Sequence, residues 1–206
     1  ITACDSVVWN GVTYDSSGQY TYMPEFMQIG GDIDGEAAYD DSGRSVSLSS
    51  DGSIMAIGAP DNDGNGPYAG HVRIYQNISG SWSQIGGDID GLSRSGYSVS
   101  LNANGSTVAI GAYSGAGHVG IYQNIGGSWS QIGGDIEGEA AGDQSGRSVS
   151  LNADGNTVAI GAYANDGNGN KSGHVRIYQN IGGSWSQVGQ DIDGEAAEDR
   201  SGSSVS

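Results

Sequence analysis

The chain has 206 residues, among them 38 glycines, three prolines, one cysteine and one phenylalanine, and its 24 acidic against seven basic side chains leave a formal charge of −17. A chain so anionic repels phosphate backbones, because nucleic-acid binders draw their affinity from clustered Lys and Arg. No run approaches the roughly 18 apolar residues that span a bilayer, and the lone Cys4 forms no internal disulfide.

Residues 1–25 are read as a separate module. Their sequence, ITACDSVVWNGVTYDSSGQYTY, alternates on its own, with turns at Trp9–Gly11 and Ser16–Gly18. From residue 26 onward one pattern repeats. SVSL starts at Ser45, Ser98 and Ser148, and SVS returns at Ser204. AIGA starts at Ala56, Ala109 and Ala159, GHV at Gly70, Gly117 and Gly173, and SWSQ brings Trp82, Trp129 and Trp185.

Within one copy, four segments alternate apolar with polar residues, the period of a strand with one face buried. In the first copy they are SGRSVSLS, SIMAIGA, GHVRIYQN and SWSQIGGDI. Asp51-Gly52, Asn104-Gly105 and Asp154-Gly155 predict hairpin turns after the first segment, and Asn-Ile-Ser/Gly-Gly predicts another after the third. No stretch has helical periodicity. The expected fold is all-β: a β-propeller of four-stranded antiparallel blades of about 50 residues, in an incomplete ring.

The expected boundaries are 26–42 for the last strand and loop of a preceding blade, with Phe26–Ile33 as that strand. Blades follow at 43–95, 96–145 and 146–200, and 201–206 opens another. Propellers close with about four to eight blades, so the chain reads as a piece of a longer polypeptide; self-association completing the ring is the rival expectation.

Two acidic patterns suit a hard cation. Asp32, Asp34, Glu36 and Asp40 recur at identical spacing as Asp135, Glu137, Glu139 and Asp143, and again as Asp191, Asp193, Glu195 and Asp199. Oxygen ligands so spaced can wrap an ion in a short loop, and calcium is the cofactor they point to; a solvated connecting loop is the other reading. The copy at Asp88, Asp90 and Leu92 loses the pattern. Asp61, Asp63 and Asn65 begin like a calcium loop but meet Ala69 where a closing acid belongs.

His71, His118 and His174 occupy equivalent places, which puts them on separate blades in a packing or hydrogen-bonding role. The tryptophans open the outermost strand and either cover the blade edge or offer a stacking platform to sugars. Arg73 and Arg176 read as exposed strand positions, with Gly120 in the middle copy. No Gly-x-Ser-x-Gly, His-Glu-x-x-His or phosphate loop is present, so no catalytic residue is assigned and no enzyme is expected.

Two resemblances refine this. The segment ITACDSVVWNGVTYDSSGQYTY resembles a repeat of large secreted and surface proteins of Bacteroidetes-like marine bacteria, without that repeat's usual second cysteine, and it implies export. SGRSVSLSSDGSIMAIGAP at Ser42–Pro60, GHVRIY at Gly70–Tyr75 and the Gly96-Tyr97-Ser98-Val99 start resemble the FG-GAP repeats of integrin α-subunit propellers and bacterial surface proteins. That resemblance implies a secreted or cell-surface propeller that adheres to protein or glycan ligands. The family's calcium loop between the first two strands is reduced here to a bare turn at Asp51, Asn104 or Asp154. The competing expectations are a structural spacer in a large exoprotein and a polysaccharide-acting propeller. No nucleic acid and no membrane insertion are expected.

Overall fold

The computed structural model describes residues 7–9, 11–15 and 27–206. Cys4, the turn at Ser16–Gly18 and Phe26 lie outside the described residues. β1 (Val7–Trp9) and β2 (Val12–Tyr14) pair antiparallel, with Trp9 opposite Val12.

Three antiparallel sheets follow. The first contains β3 (Ser45–Leu48), β4 (Ile54–Ala59), β5 (His71–Ile78), β6 (Ser81–Gln84) and β7 (Ile89–Asp90). The second contains β8 (Ser95–Leu101), β9 (Thr107–Ala112), β10 (His118–Ile125), β11 (Ser128–Gln131) and β12 (Ile136–Glu137). The third contains β13 (Ser148–Leu151), β14 (Thr157–Ala162), β15 (His174–Ile181), β16 (Ser184–Gln187) and β17 (Ile192–Asp193). Each is a four-stranded meander in sequence order, and among the described residues there is no helix. The architecture is an open, incomplete β-propeller.

The hairpin between third and fourth strands forms as its sequence demands. Ser79 and Gly80 both take positive φ, 53° and 88°, the conformation of a two-residue type I′ turn, whose twist matches that of the flanking strands. The connection after the first strand differs from expectation: it runs from Ser49 to Ser53, and of Asp51 and Gly52 only the glycine has positive φ. Asp51 instead accepts hydrogen bonds from Ser53 N (2.9 Å), Ser49 Oγ (2.7 Å) and Ser53 Oγ (2.8 Å). Those bonds, the Ser53 amide foremost, hold its carboxyl at about 2. A depressed folded pKa adds stability above the unfolded value near 3.9 and loses it as pH falls toward 2. Wild type should therefore lose stability relative to Asp51→Asn between pH 4 and 2, in paired urea titrations.

The fourth strand is two pieces. β6 pairs with the outer half of β5, the chain then turns through Gly86 at φ 75°, and β7 pairs with the start of β5, His71 opposite Asp90. The expected strand at Phe26–Ile33 does not form within its described part, residues 27–33; among the described residues no strand pairs with it. Ile29 nevertheless accepts the indole N–H of Trp82 at 3.0 Å.

The apolar core lies between blades. One cluster joins Ala56, Val72, Ile74 and Ile89 of the first blade to Val99, Leu101, Val108 and Ile110 of the second; the other joins Ala109, Val119, Ile121 and Ile136 to Val149, Leu151, Val158 and Ile160. Each valine, leucine or isoleucine adds roughly 1.5–3 kcal/mol when fully buried, and these side chains are buried by packing of one sheet on the next. Leu101 and Leu151 are under 10% exposed, whereas the equivalent Leu48, on which no other blade packs among the described residues, is 54% exposed. Likewise Ile89 and Ile136 are 6% exposed and Ile192, on which no other blade packs among the described residues, 57%.

Side chains of the repeated motifs stitch these faces together. Ser45, Ser98 and Ser148 donate Oγ–H to Gly96, Gly146 and Gly202 carbonyls, each at 2.8 Å. Trp129 and Trp185 donate to the Ile85 and Ile132 carbonyls of the preceding blade, each at 2.9 Å.

Candidate functional site

Antiparallel order brings the ends of the second strands, the starts of the first and third, and the connections between blades to one rim. Ala59 lies opposite His71, and Ser45 opposite Gly58. The loops at this rim vary while the strands repeat. Residues 60–70 and 163–173 are long connections, whereas the middle blade turns through Ser114-Gly115-Ala116.

The loop acids are distributed among separate tasks. Asp32, Asp88, Asp135 and Asp191 each accept from the glutamine four residues earlier, at 2.6–2.7 Å. Asp34, Glu137, Asp193 and Glu195 are exposed. Asp40 and Asp143 are buried: Asp40 accepts from Ala37 N (3.0 Å) and Asn62 Nδ2 (2.8 Å), and Asp143 from Ala140 N (3.1 Å) and Asn165 Nδ2 (2.8 Å). Asp199 accepts from Ala196 N at 2.7 Å. The four acids of one copy thus do not converge.

Nor do Asp61, Asp63 and Asn65. Asp61 lies 3.5 Å from Arg94 Nη1, Asp63 accepts from Tyr68 N at 2.7 Å, and Asn65 donates to the Gly91 carbonyl at 3.0 Å.

Carboxylates from successive copies do converge, on a histidine. His71 Nδ1 lies 3.8 Å from Glu36 Oε2 and 3.8 Å from Asp88 Oδ2. In the third blade His174 Nδ1 lies 3.8 Å from Asp191 Oδ2, and Glu139 joins the group. Both histidines are almost fully buried, at 2% and 3% exposure.

The arginines expected on the surface belong to these clusters. Arg73 is 8% exposed; its Nη2 donates to the Asp34 carbonyl at 2.7 Å, with Nη1 3.9 Å from Glu36. Arg176 grips Asp191 through Nε (2.9 Å) and Nη2 (2.8 Å) and also pairs with Glu139. Burial opposes the Arg176 charge, but the bonds to Asp191 and Glu139 outweigh it and raise its pKa. The Arg176 bonds in turn hold Asp191 below its ordinary value, while burial, aided by the Arg176 charge, pushes His174 down.

The middle blade keeps the histidine and the aspartate, as His118 and Asp135, but loses the other partners together. Leu92 stands where the glutamate would, Gly120 replaces the arginine, and the Asp–Asn pair is missing. A pocket lined by Leu92, His118, Gly120, Tyr122, Gln131 and Asp135 opens there. Reading the letters singly, the sequence suggests only a lost acidic pattern and an unshared arginine; joint presence in two blades and joint absence in the third is the signal that connects them.

A second group gathers where the first strands begin. Arg44 and Arg147 lie over opposite neighbours' aromatic ring Tyr97, 4.6 and 5.3 Å from its centroid, and Arg147 also lies 4.4 Å from that of Tyr163. Tyr97 and Tyr113 centroids are 4.3 Å apart, and Arg94 donates to Tyr113 Oη at 2.7 Å. Among the described residues neither Arg44 nor Arg147 forms an ion pair.

Solved structures are similar to this chain in fold alone. Saccharomyces cerevisiae Sqt1 is 18% identical with a TM-score of 0.51, over 75% of this chain and 36% of that protein. A Bacteroides uniformis protein provisionally assigned as a 6-phosphogluconolactonase is 14% identical with a TM-score of 0.52, over 72% of this chain and 39% of that protein. Hydrazine synthase of Kuenenia stuttgartiensis is 10% identical with a TM-score of 0.50, over 81% and 42%. The chain therefore spans less than half the length of each. No curated protein matches it. Residues 137–178, running from β12 into β15, match the family model of the FG-GAP repeat.

Proposed function

We propose that this chain is part of an extracellular, non-enzymatic propeller whose loop-bearing rim binds an anionic protein or glycan ligand. One observation carries the reading: Arg44, Tyr97 and Arg147 occupy the same place in three successive copies, yet differ in a scaffold whose strands repeat almost letter for letter. Together with Tyr113 and Tyr163 they gather two guanidinium groups free of ion pairs, among the described residues, on a chain of charge −17. Tyr and Arg dominate the energetics of recognition surfaces, the ring offering rigid contact area and the guanidinium bidentate bonds to carboxylate or sulfate. FG-GAP repeats typically serve outside the cell, in keeping with this setting. The uncovered Leu48 and Ile192 faces fit further blades of the same kind, in one chain or in a second copy.

Binding of the 206-residue chain to arrays of acidic and neutral glycans and to cell-surface protein tests the reading. Acidic ligands should bind, and Arg44→Ala/Arg147→Ala should weaken them more than tenfold with an unchanged melting temperature. Binding indifferent to both arginines would reject the site. The interlocked serines and tryptophans favour a second reading, a load-bearing spacer, which predicts no ligand on any array.

A further inference from the structure

We infer that the two carboxylate–histidine clusters, Glu36/His71/Asp88 and Glu139/His174/Asp191, are composite sites for a divalent cation of the zinc class, each completed by a glutamate from the segment that leads into the blade holding the histidine and aspartate. In each cluster one ligand atom from every residue lies within 4.8 Å of the others. The 3.8 Å separations of His71 Nδ1 from both carboxylates are too long for hydrogen bonds. They are close to the spacing of two ligands across an ion held at about 2.0–2.2 Å, roughly 3.4 Å for a tetrahedron. A second observation points the same way. His174 Nδ1 is buried, faces Asp191, and has no hydrogen-bond partner; native interiors rarely leave such an atom unsatisfied.

One imidazole nitrogen with two carboxylates suits zinc or a neighbouring transition metal, with water in a remaining position. Calcium prefers six to eight oxygens and gains nothing from the imidazole. The arginines tell how the site opens. Arg176 Nη2 sits on Asp191 and Glu139, where an ion would displace it while Nε keeps its bond to Asp191 Oδ1. Arg73 is anchored through Nη2 on the Asp34 carbonyl, with only Nη1, at 3.9 Å, facing Glu36. The junction between the first and second blades supplies Leu92 in place of a carboxylate, so His118 forms no such site.

Zinc titration of the metal-stripped chain by calorimetry, with Co2+ absorption as a spectroscopic probe, tests the inference independently of any glycan or protein ligand. Two tight sites are expected, with zinc at a hundredfold excess over Kd raising Tm by about 5 °C or more. Glu36→Gln should leave one tight site, Glu36→Gln/Glu139→Gln none, and His118→Gln two. Both glutamates have side chains 46% exposed, so these variants keep the fold, which melting curves verify. A tight-site count other than two in the wild type, zinc bound unchanged by Glu36→Gln/Glu139→Gln, or an equal Tm rise with calcium overturns it.

Discussion

Gly111→Ala is expected to remove most of the protein's stability. Gly111 stands in β9, and a Cβ there would overlap the Gly146 carbonyl oxygen of the next blade and Ser98 Oγ, well inside the 3.0 Å that real Cβ atoms keep. Neither neighbour is free to yield, because Ser98 Oγ donates to that same carbonyl at 2.8 Å and Gly146 N donates to Gly161 O at 3.2 Å. The blades must then part, exposing a cluster that includes Val149, Leu151 and Ile160. A loss of more than about 3 kcal/mol is expected. Gly134→Ala is the matched control, since a Cβ there meets nothing within 4 Å. Thermal melts of the two variants should diverge by about 6 °C or more; equal midpoints would mean that blades are not in backbone contact at this glycine.

Trp129→Ala is expected to cost about 2–4 kcal/mol. The indole of Trp129 is half-buried against the cluster between the first two blades, and its Nε1–H reaches the Ile85 carbonyl at 2.9 Å. Trp129→Phe keeps most of the ring and loses only the hydrogen bond, for about 1 kcal/mol. Urea titrations of both variants separate packing from hydrogen bonding. Equal losses would place the whole effect in the hydrogen bond and none in ring packing.

The repeat made the architecture legible. Alternation in SVSL and HVRIY marks strands because successive side chains turn to opposite faces of a sheet, and in the middle blade both faces are packed, Val108 and Ile110 toward the first blade and Ala109 toward the third; Ser79-Gly80 marks a turn because its backbone needs two positive φ values. The fourth segment divides into β6 and β7 because pairing depends on which half of β5 is opposite, which the letters SWSQIGGDI do not carry. Spacing within one acidic loop predicts ligands from a single copy; the structure joins Glu36 to Asp88, 52 positions further along, since the segment leading into a blade folds back onto the end of that blade's last strand, which local sequence does not reveal. Arg73 looked exposed because a charged residue on an alternating strand usually faces water, and only its carboxylate and carbonyl neighbours explain its burial. The Arg44–Tyr97–Arg147 group was visible letter by letter but not as a group, because three equivalent positions become neighbours only around an axis.

The serine and tryptophan bonds between blades begin in letters that every copy carries and end on main-chain carbonyls, which every copy also offers. Any unit can therefore dock on any other. Tandem duplication or deletion of one unit would leave each surviving joint with the same partners, so lineages carrying this architecture can change ring size without inventing a new interface. Innovation is thereby confined to the rim, where the copies already disagree.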